Sequence, residues 1–297
     1  MHILVTGSHG LVGKEVISEL KNRKHTIVEF DLKNKQNILT KTHLEKALKN
    51  IDLVIHLAGI IDNSNPDLWK INVEGTKNII EESVKKRVKK FIFLSSTGVY
   101  GDTKHNINED SEVHPQTIYE KSKYEAEQIV LNHQEELHVN VIRSAMIFGP
   151  NLYWKNMFKI LKKNFPLPGS GYNKFQIIYV KELVRAMLTV IKNGEPGETY
   201  LVAGKEQWTL REFCKKSKGI MGKKEHIWSV PGIIVILIGK ILKRKILSKN
   251  NIRHLLKQRK YNLEKIESIG YVQKYPLLES IVETMEELKE IDGFTKN

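Results

Sequence analysis

The sequence predicts an α/β fold: a doubly wound parallel sheet with helices on both faces, followed by a smaller C-terminal substrate-binding region. Two observations carry this. Short apolar runs, "HILV", "TIVEF", "DLVIHLA", "FIFLS" and "VNVIR", recur through the first 143 residues, and strands this continuously apolar are buried on both faces. Between them lie longer segments with helical spacing, such as Val12, Val16, Ile17 and Leu20. Strands alternating with helices imply crossover connections and hence parallel pairing. The sheet domain is assigned to residues 1–150, with segments around 175–200 returning to it. After "GPN" at 149–151 the rhythm breaks, Pro166 and Pro168 mark an irregular connection, and residues 151–297 are assigned mainly to substrate binding.

The first strand runs into "TGSHGLVGKEV", where Gly7, Gly10 and Gly13 are spaced GxxGxxG ahead of a helix. Glycines allow the tight turn and let backbone N–H groups and the helix N-terminus approach a pyrophosphate, the mark of a Rossmann-type dinucleotide site. Any tight strand-to-helix turn favours glycine, so the context of strand before and helix after matters. The second strand, "TIVEFD", ends in Asp31. A carboxylate there suits the adenosine ribose hydroxyls and repels a 2′-phosphate, which favours NAD over NADP. Lys33 and Lys35 follow and soften that preference.

Composition bounds the rest. With 40% hydrophobic and 28% charged residues, the chain reads as an ordinary soluble globular protein. The single cysteine, Cys214, excludes an internal disulfide and fits a reducing compartment, and "MHILVTG" already begins the first strand, so a cytoplasmic protein without a leader is expected. The net charge of +14 raises nucleic acid as a partner, but the run "KKRVKK" at 85–90 sits where cations complement a helix C-terminus. A solvated helix end is the better reading, and no nucleic-acid partner is expected. No zinc-ligand spacing is present, so no metal is expected either.

In "TIYEKSKYEAEQIV", Tyr119 and Lys123 are four positions apart in a helical run and share one face. An ammonium beside a phenol favours its ionised form. Hydride transfer at a carbinol requires a group that takes and returns the hydroxyl proton, and a phenol serves only if its pKa is brought down from about 10. Alone, the pair also fits a surface tyrosine beside a solvated lysine.

Six stretches, taken in order, resemble the extended short-chain dehydrogenase/reductase superfamily and its NAD-dependent epimerase/dehydratase family: GxxGxxG at 7–13, "HLAG" at 56–59, "NVEGT" at 72–76, "LSSTGVYG" at 94–101, "YEKSK" at 119–123 and "RSAMIFGP" at 143–150. The resemblance runs nearly the whole chain and weakens past residue 150. It implies Tyr119 as acid/base, Lys123 tuning it and holding the nicotinamide ribose, and Ser96 orienting the substrate oxygen. It implies cofactor contacts from Gly7, Gly10, Gly13, Asp31, Leu57, Ala58, Tyr119 and Lys123, and a homodimer. His56 and Asn72, though in the motifs, read as structural hydrogen-bonding residues.

Within the family the resemblance is to enzymes acting on nucleotide sugars. A dehydratase carries Asp-Glu after the motif hydroxyl, whereas Thr97 and Gly98 follow Ser96 here, so epimerisation or simple redox remains. In the pattern RPxNxYGP this chain has Ser144, Met146 and Phe148 at the Pro, Asn and Tyr positions, and Phe175 stands where an arginine is common, with Lys174 beside it. The short loop from His56 to Asn72 also resembles 3β-hydroxysteroid dehydrogenases and dihydroflavonol reductases, the alternative enzyme class for a hydrophobic substrate. A non-catalytic NAD(P)-binding sensor or assembly subunit is the alternative outside catalysis. Finally, no Asp or Glu occurs from His226 to Leu263, which contains "IWSVPGIIVILIGKILKRKIL" and "RHLLKQRK". Its apolar part is shorter than the roughly 20 residues needed to span a bilayer. It fits a core helix of the substrate region, an anion site using Arg253 and Arg259 together with Thr97 and Lys174 around the substrate, or a membrane-surface element over about 227–260.

Overall fold

A computed structural model describes residues 1–102, 106–174, 176–243 and 247–292, without the side chains of 250, 254, 291 and 292. Phe175 and three residues of the basic segment, 244–246, lie outside the described residues. The strands are β1 (His2–Thr6), β2 (Thr26–Phe30), β3 (Leu53–His56), β4 (Lys90–Ser96), β5 (Asn106–Ile107), β6 (His138–Ser144), β7 (Met146–Phe148), β8 (Leu167–Pro168), β9 (Ile177–Tyr179), β10 (Thr199–Val202), β11 (Ser229–Val230) and β12 (Lys260–Tyr261). The helices are α1 (Leu11–Asn22), α2 (Lys41–Ala47), α3 (Gly75–Lys85), α4 (Ile118–Leu131), α5 (Leu152–Lys162), α6 (Val180–Asn193), α7 (Leu210–Ile220), α8 (Gly232–Ile241), α9 (Lys249–Leu256), α10 (Glu264–Ser268) and α11 (Leu277–Asp292).

Six strands form one sheet in the order β10-β6-β4-β3-β1-β2, and every pairing in it is parallel. Alternate residues of each strand enter different cores, because successive side chains point to opposite faces. Ile3, Val5, Leu53, Ile55, Ile92 and Ile142 pack with Val16, Leu20, Leu183 and Met187 of α1 and α6. Leu4, Val54, Phe91, Phe93, Val139 and Val141 pack with Leu44, Ile79, Ile80, Ala126 and Val130 of α2, α3 and α4. Two buried faces are why these strands read as unbroken apolar runs.

The chain passes from β1 outward to β2 and returns to β3 on the other side of β1. Such a switch opens a crevice at the C-terminal ends of β1 and β3, where ligands of this architecture sit. "KKRVKK" lies where the charge pattern suggests: α3 ends at Lys85 and β4 begins at Lys90. The second half contributes to both layers. β10 pairs with β6 and α6 packs beside α1, so residues 180–202 belong to the sheet layer. Around it stand three parallel two-strand pairs, β7 with β9, β8 with β11, and β12 with β5. Phe148, in the "IFGP" stretch, is core, ringed by Trp154, Phe158, Tyr179 and Phe213.

Candidate active site

The glycine turn lies across the switch-point crevice. Gly7 has φ +67°, and a Cβ on it would sit 2.8 Å from the Ala58 nitrogen. A Cβ on Gly13 would lie 2.3 Å from the Gly7 carbonyl oxygen, so both positions exclude a side chain. Gly10 N–H donates to that carbonyl at 3.0 Å and precedes α1. No side chain caps α1 and no carboxylate stands in its first turn, which leaves the positive helix end facing outward. Ser8 Oγ in the same turn is buried without a hydrogen-bond partner among the described residues. Asp31 follows β2, where its carboxylate accepts from Lys33 N–H at 3.0 Å and His9 N–H at 3.1 Å. It therefore faces the glycine turn, although 22 positions separate it from His9.

Leu57 and Ala58 form the opposite wall, and both N–H groups point to Thr6 Oγ1 at 3.2 and 3.1 Å. Behind them His56 Nδ1 pairs with Thr6 Oγ1 at 2.7 Å and Nε2 with Thr76 Oγ1 at 2.9 Å. Thr76 donates onward to the Asn72 carbonyl at 2.6 Å, which fixes the proton on Nε2. Burial, with Lys123 nearby, pulls His56 down to about 3, so it stays neutral. Asn72 sits in a π-helical turn at 70–74, bonded both ways to Ile60 and to Ser122 Oγ at 2.9 Å. Both residues are structural.

Thr117 and Glu120 form a reciprocal capping box that starts α4, and Tyr119 N–H is held by Asn63 Oδ1 at 2.9 Å. Tyr119, Lys123 and Glu127 then follow one another at i, i+4, i+8. Lys123 Nζ lies 4.1 Å from the centre of the Phe93 ring. Burial pulls it down to about 7, against the raising effect of Glu127. Glu127 is fully buried, paired with Arg143 at 2.8 Å and hydrogen-bonded to Ser95 Oγ. Arg143 also donates to Tyr100 OH at 2.9 Å and to the Glu109 carbonyl at 3.1 Å. This network locks α4 against β4 and β6.

Ser96 ends β4, and its Oγ accepts from Gly98 N–H at 3.0 Å. Its hydroxyl also hydrogen-bonds to the Tyr119 phenol and lowers the phenol's pKa. Burial nevertheless pushes Tyr119 up to about 12, with Glu120 acting in the same direction. The spacing of Tyr119 and Lys123 predicts the opposite direction. The difference is desolvation, which no sequence spacing reports and which here outweighs the hydrogen bond.

The C-terminal segment closes over the other side of Ser96. Tyr261 OH donates to Thr97 Oγ1 at 2.9 Å, and Arg259 Nη1 reaches Thr97 Oγ1 at 3.5 Å and Tyr261 OH at 3.2 Å. Arg259 Nη2 is buried without a hydrogen-bond partner. Lys257 pairs with Asp102 at 2.8 Å and lies 3.6 Å from Glu120. Arg253 is exposed and bonds Asp102 and Gln116 at 3.3 and 3.2 Å. Arg253, Arg259 and Thr97 thus gather at one rim. Lys174 differs: its backbone adjoins Gln258 and Arg259, but its ammonium turns to the Gln207 carbonyl at 3.1 Å. Lys257, Tyr261 and Glu127 were not singled out by sequence. Glu127 had a signal, the continued four-residue step from Tyr119, while Lys257 and Tyr261 had none beyond the acid-free segment that contains them.

The model of the NAD dependent epimerase/dehydratase family matches residues 3–203. The chain belongs to this family. It is similar to N-acetyl-alpha-D-glucosaminyl-diphospho-ditrans,octacis-undecaprenol 4-epimerase of Escherichia coli O157:H7, 26% identical over 319 aligned positions that cover 96% of this chain and 94% of the relative. It is also 26% identical to human dTDP-D-glucose 4,6-dehydratase, over 97% and 90% of the two chains. Among solved structures, UDP-glucose 4-epimerase of Thermotoga maritima with UDP-glucose has TM-score 0.82 at 23% identity, covering 98% of this chain and 99% of that one.

NAD, the cofactor in the family's name, fits the residues present. The side-chain-free cradle at Gly7 and Gly13, the uncapped start of α1 and the unpartnered Ser8 hydroxyl suit a pyrophosphate. Asp31, held at the glycine turn, suits a ribose diol.

Proposed function

We propose that the chain is an epimerase of a diphosphate-linked sugar, inverting a carbinol by transient oxidation. The observation that carries this reading is the pair Thr97–Gly98. Thr97 Oγ1 is committed to Tyr261 and Arg259, and a Cβ on Gly98 would meet Glu120 Cγ at 3.0 Å and Ser96 Oγ at 3.1 Å. In the sequence no acid and base for eliminating water follow Ser96, and the set Ser96, Tyr119 and Lys123 supports reversible hydride chemistry instead.

NAD held in the crevice would supply a reversible hydride acceptor. Tyr119 takes the proton of the sugar hydroxyl and gives it back to the other face's product. Ser96 holds the substrate oxygen and shares its hydroxyl with the phenol. Lys123, held over Phe93, binds the nicotinamide ribose and favours the phenolate once protonated. Gly7, Gly10 and Gly13 let backbone approach the pyrophosphate, Leu57 and Ala58 wall the adenine side of the crevice, and Asp31 takes the ribose hydroxyls. Arg253 and Arg259 face the substrate's diphosphate. The diphosphate carries a nucleoside in the Thermotoga maritima complex and undecaprenol in the Escherichia coli relative.

The test is turnover in D₂O with NAD and a panel of UDP-hexoses. Epimerisation returns the substrate's own hydrogen to the inverted carbon, so the product is an epimer without solvent deuterium. A deoxy keto-sugar carrying solvent deuterium would show elimination and overturn the reading.

A further inference from the structure

Helix α8, "GIIVILIGKI", is apolar at every position but Lys240. Its inner side is covered: Val235 and Gly239 are buried, a Cβ on Gly239 would meet Leu247 at 2.5 Å, and Gly232 lies against Leu256 and Ile252. Its outer side is not. Ile233, Leu237 and Ile241, one stripe at four-residue steps, are 62%, 51% and 80% exposed. Ile234 and Leu242 on the same stretch are exposed too, as is Trp228 shortly before the helix. A contiguous apolar patch of this kind marks an interaction surface.

Its surroundings say what covers it. Lys240 in the last turn of α8 and Lys243 just past its end are exposed, and no carboxylate occurs in the sequence from His226 to Leu263. A second copy seated on this face would bring lysines against lysines with no acid of the segment to offset them. A nucleic acid would not bury the isoleucines. An anionic bilayer satisfies both: apolar side chains enter the acyl boundary while lysines meet acidic headgroups, and an aromatic such as Trp228 suits the interface. Among the described residues no helix is long and apolar enough to cross a membrane, so α8 would lie in the surface plane.

We propose that the outer face of α8 docks the enzyme on the surface of an anionic lipid bilayer. The face connects directly to the substrate rim. The first turn of α8 packs on Ile252 and Leu256 of α9, and α9 carries Arg253, which bonds Asp102 and Gln116 beside the start of α4. Docking therefore sets the rim close to the headgroup layer, where a sugar diphosphate anchored in the bilayer is presented. The docking itself is independent of the reaction assigned above and needs no substrate to test.

The full chain is co-sedimented with phosphatidylcholine vesicles and with vesicles containing about 30% phosphatidylglycerol. Binding to the anionic vesicles only, weakened by salt, is expected. The double change Leu237→Glu and Ile241→Glu, at exposed positions, should weaken binding at least about tenfold while leaving the melting temperature and turnover of a soluble nucleotide sugar unchanged. Should that variant fail to fold, Lys240→Glu with Lys243→Glu should remove the salt-sensitive part of binding. Absence of wild-type binding to anionic vesicles, or binding undiminished in both variants, overturns the proposal. So does light scattering that shows wild-type self-association abolished by Leu237→Glu and Ile241→Glu without vesicle binding, which would make α8 a self-interface.

Discussion

Tyr119→Phe deletes one oxygen and keeps the ring. In the folded chain that oxygen has a hydrogen bond with Ser96 and stands at about 12. Losing one hydrogen bond of this kind costs about 0.5–1.5 kcal/mol, so the melting temperature should fall by only a few degrees. The catalytic consequence is much larger. Bringing a phenol from about 12 into the neutral range takes on the order of 6 kcal/mol of preferential stabilisation of the phenolate. The Ser96 hydrogen bond is already contained in that value, so the remainder falls to Lys123, itself at about 7, when protonated. That investment is idle unless the oxygen moves a proton. The variant should therefore lose about 10²–10⁴ in kcat with cofactor affinity kept. The assays are kcat from pH 5 to 10, thermal melting, and the tyrosinate absorbance difference between wild type and Tyr119→Phe with and without NAD. A phenol that ionises only in the presence of NAD is expected, as the positive nicotinamide ring adds to Lys123. Turnover within tenfold of wild type, or a difference spectrum that ignores NAD, would refute the reasoning.

Asp31→Ser should raise the NADP-to-NAD affinity ratio at least about tenfold, or about 1.4 kcal/mol, measured by fluorescence titration; an unchanged ratio removes Asp31 from cofactor choice. Gly13→Ala places a methyl 2.3 Å from the Gly7 oxygen, a backbone atom that cannot swing away, so NAD binding should be abolished and stability should drop by about 1–3 kcal/mol. His56 is held neutral with a folded value of about 3 against 6.5 unfolded. Its folded pKa is the lower one, so protons favour the unfolded chain, and stability attributable to it is lost as pH falls below 6.5. The loss reaches about 3 kcal/mol at pH 4.5, and denaturant melts of His56→Gln should lack this dependence.

The parts of the molecule that local pattern determines were legible from sequence. The strands β1, β2, β3, β4 and β6 are apolar on both faces and stand out as runs. Tyr119, Lys123 and Ser96 lie in short motifs whose spacing is also their geometry. By contrast β5, β8, β11 and β12 are two residues each, and pairings this short are made by tertiary contact, without a sequence period. Lys257 and Tyr261 reach the rim from more than 150 positions away, by the pairing of β12 with β5. The outward stripe of α8 was not separable from a core helix by composition, because a helix apolar at nearly every position looks the same whether one side or both are covered. The direction of the Tyr119 shift was hidden for a similar reason: spacing reports neighbours, and burial is a property of the whole fold.

The chain leaves the sheet layer after β6 and returns to it at β10, and the late strand β12 pairs with β5 from the first half of the chain. Glu182 on α6 adds a further tie, accepting from Tyr271 OH and from the N–H groups of Lys274 and Tyr275. Two bodies sewn together by several threads cannot swing apart about one hinge. A dinucleotide lodged in the crevice must then leave by local loosening rather than by a gaping motion, which favours slow exchange. For the epimerisation proposed above, which would give its hydride back within each cycle, slow exchange is no handicap: the same cofactor molecule can stay for many turnovers.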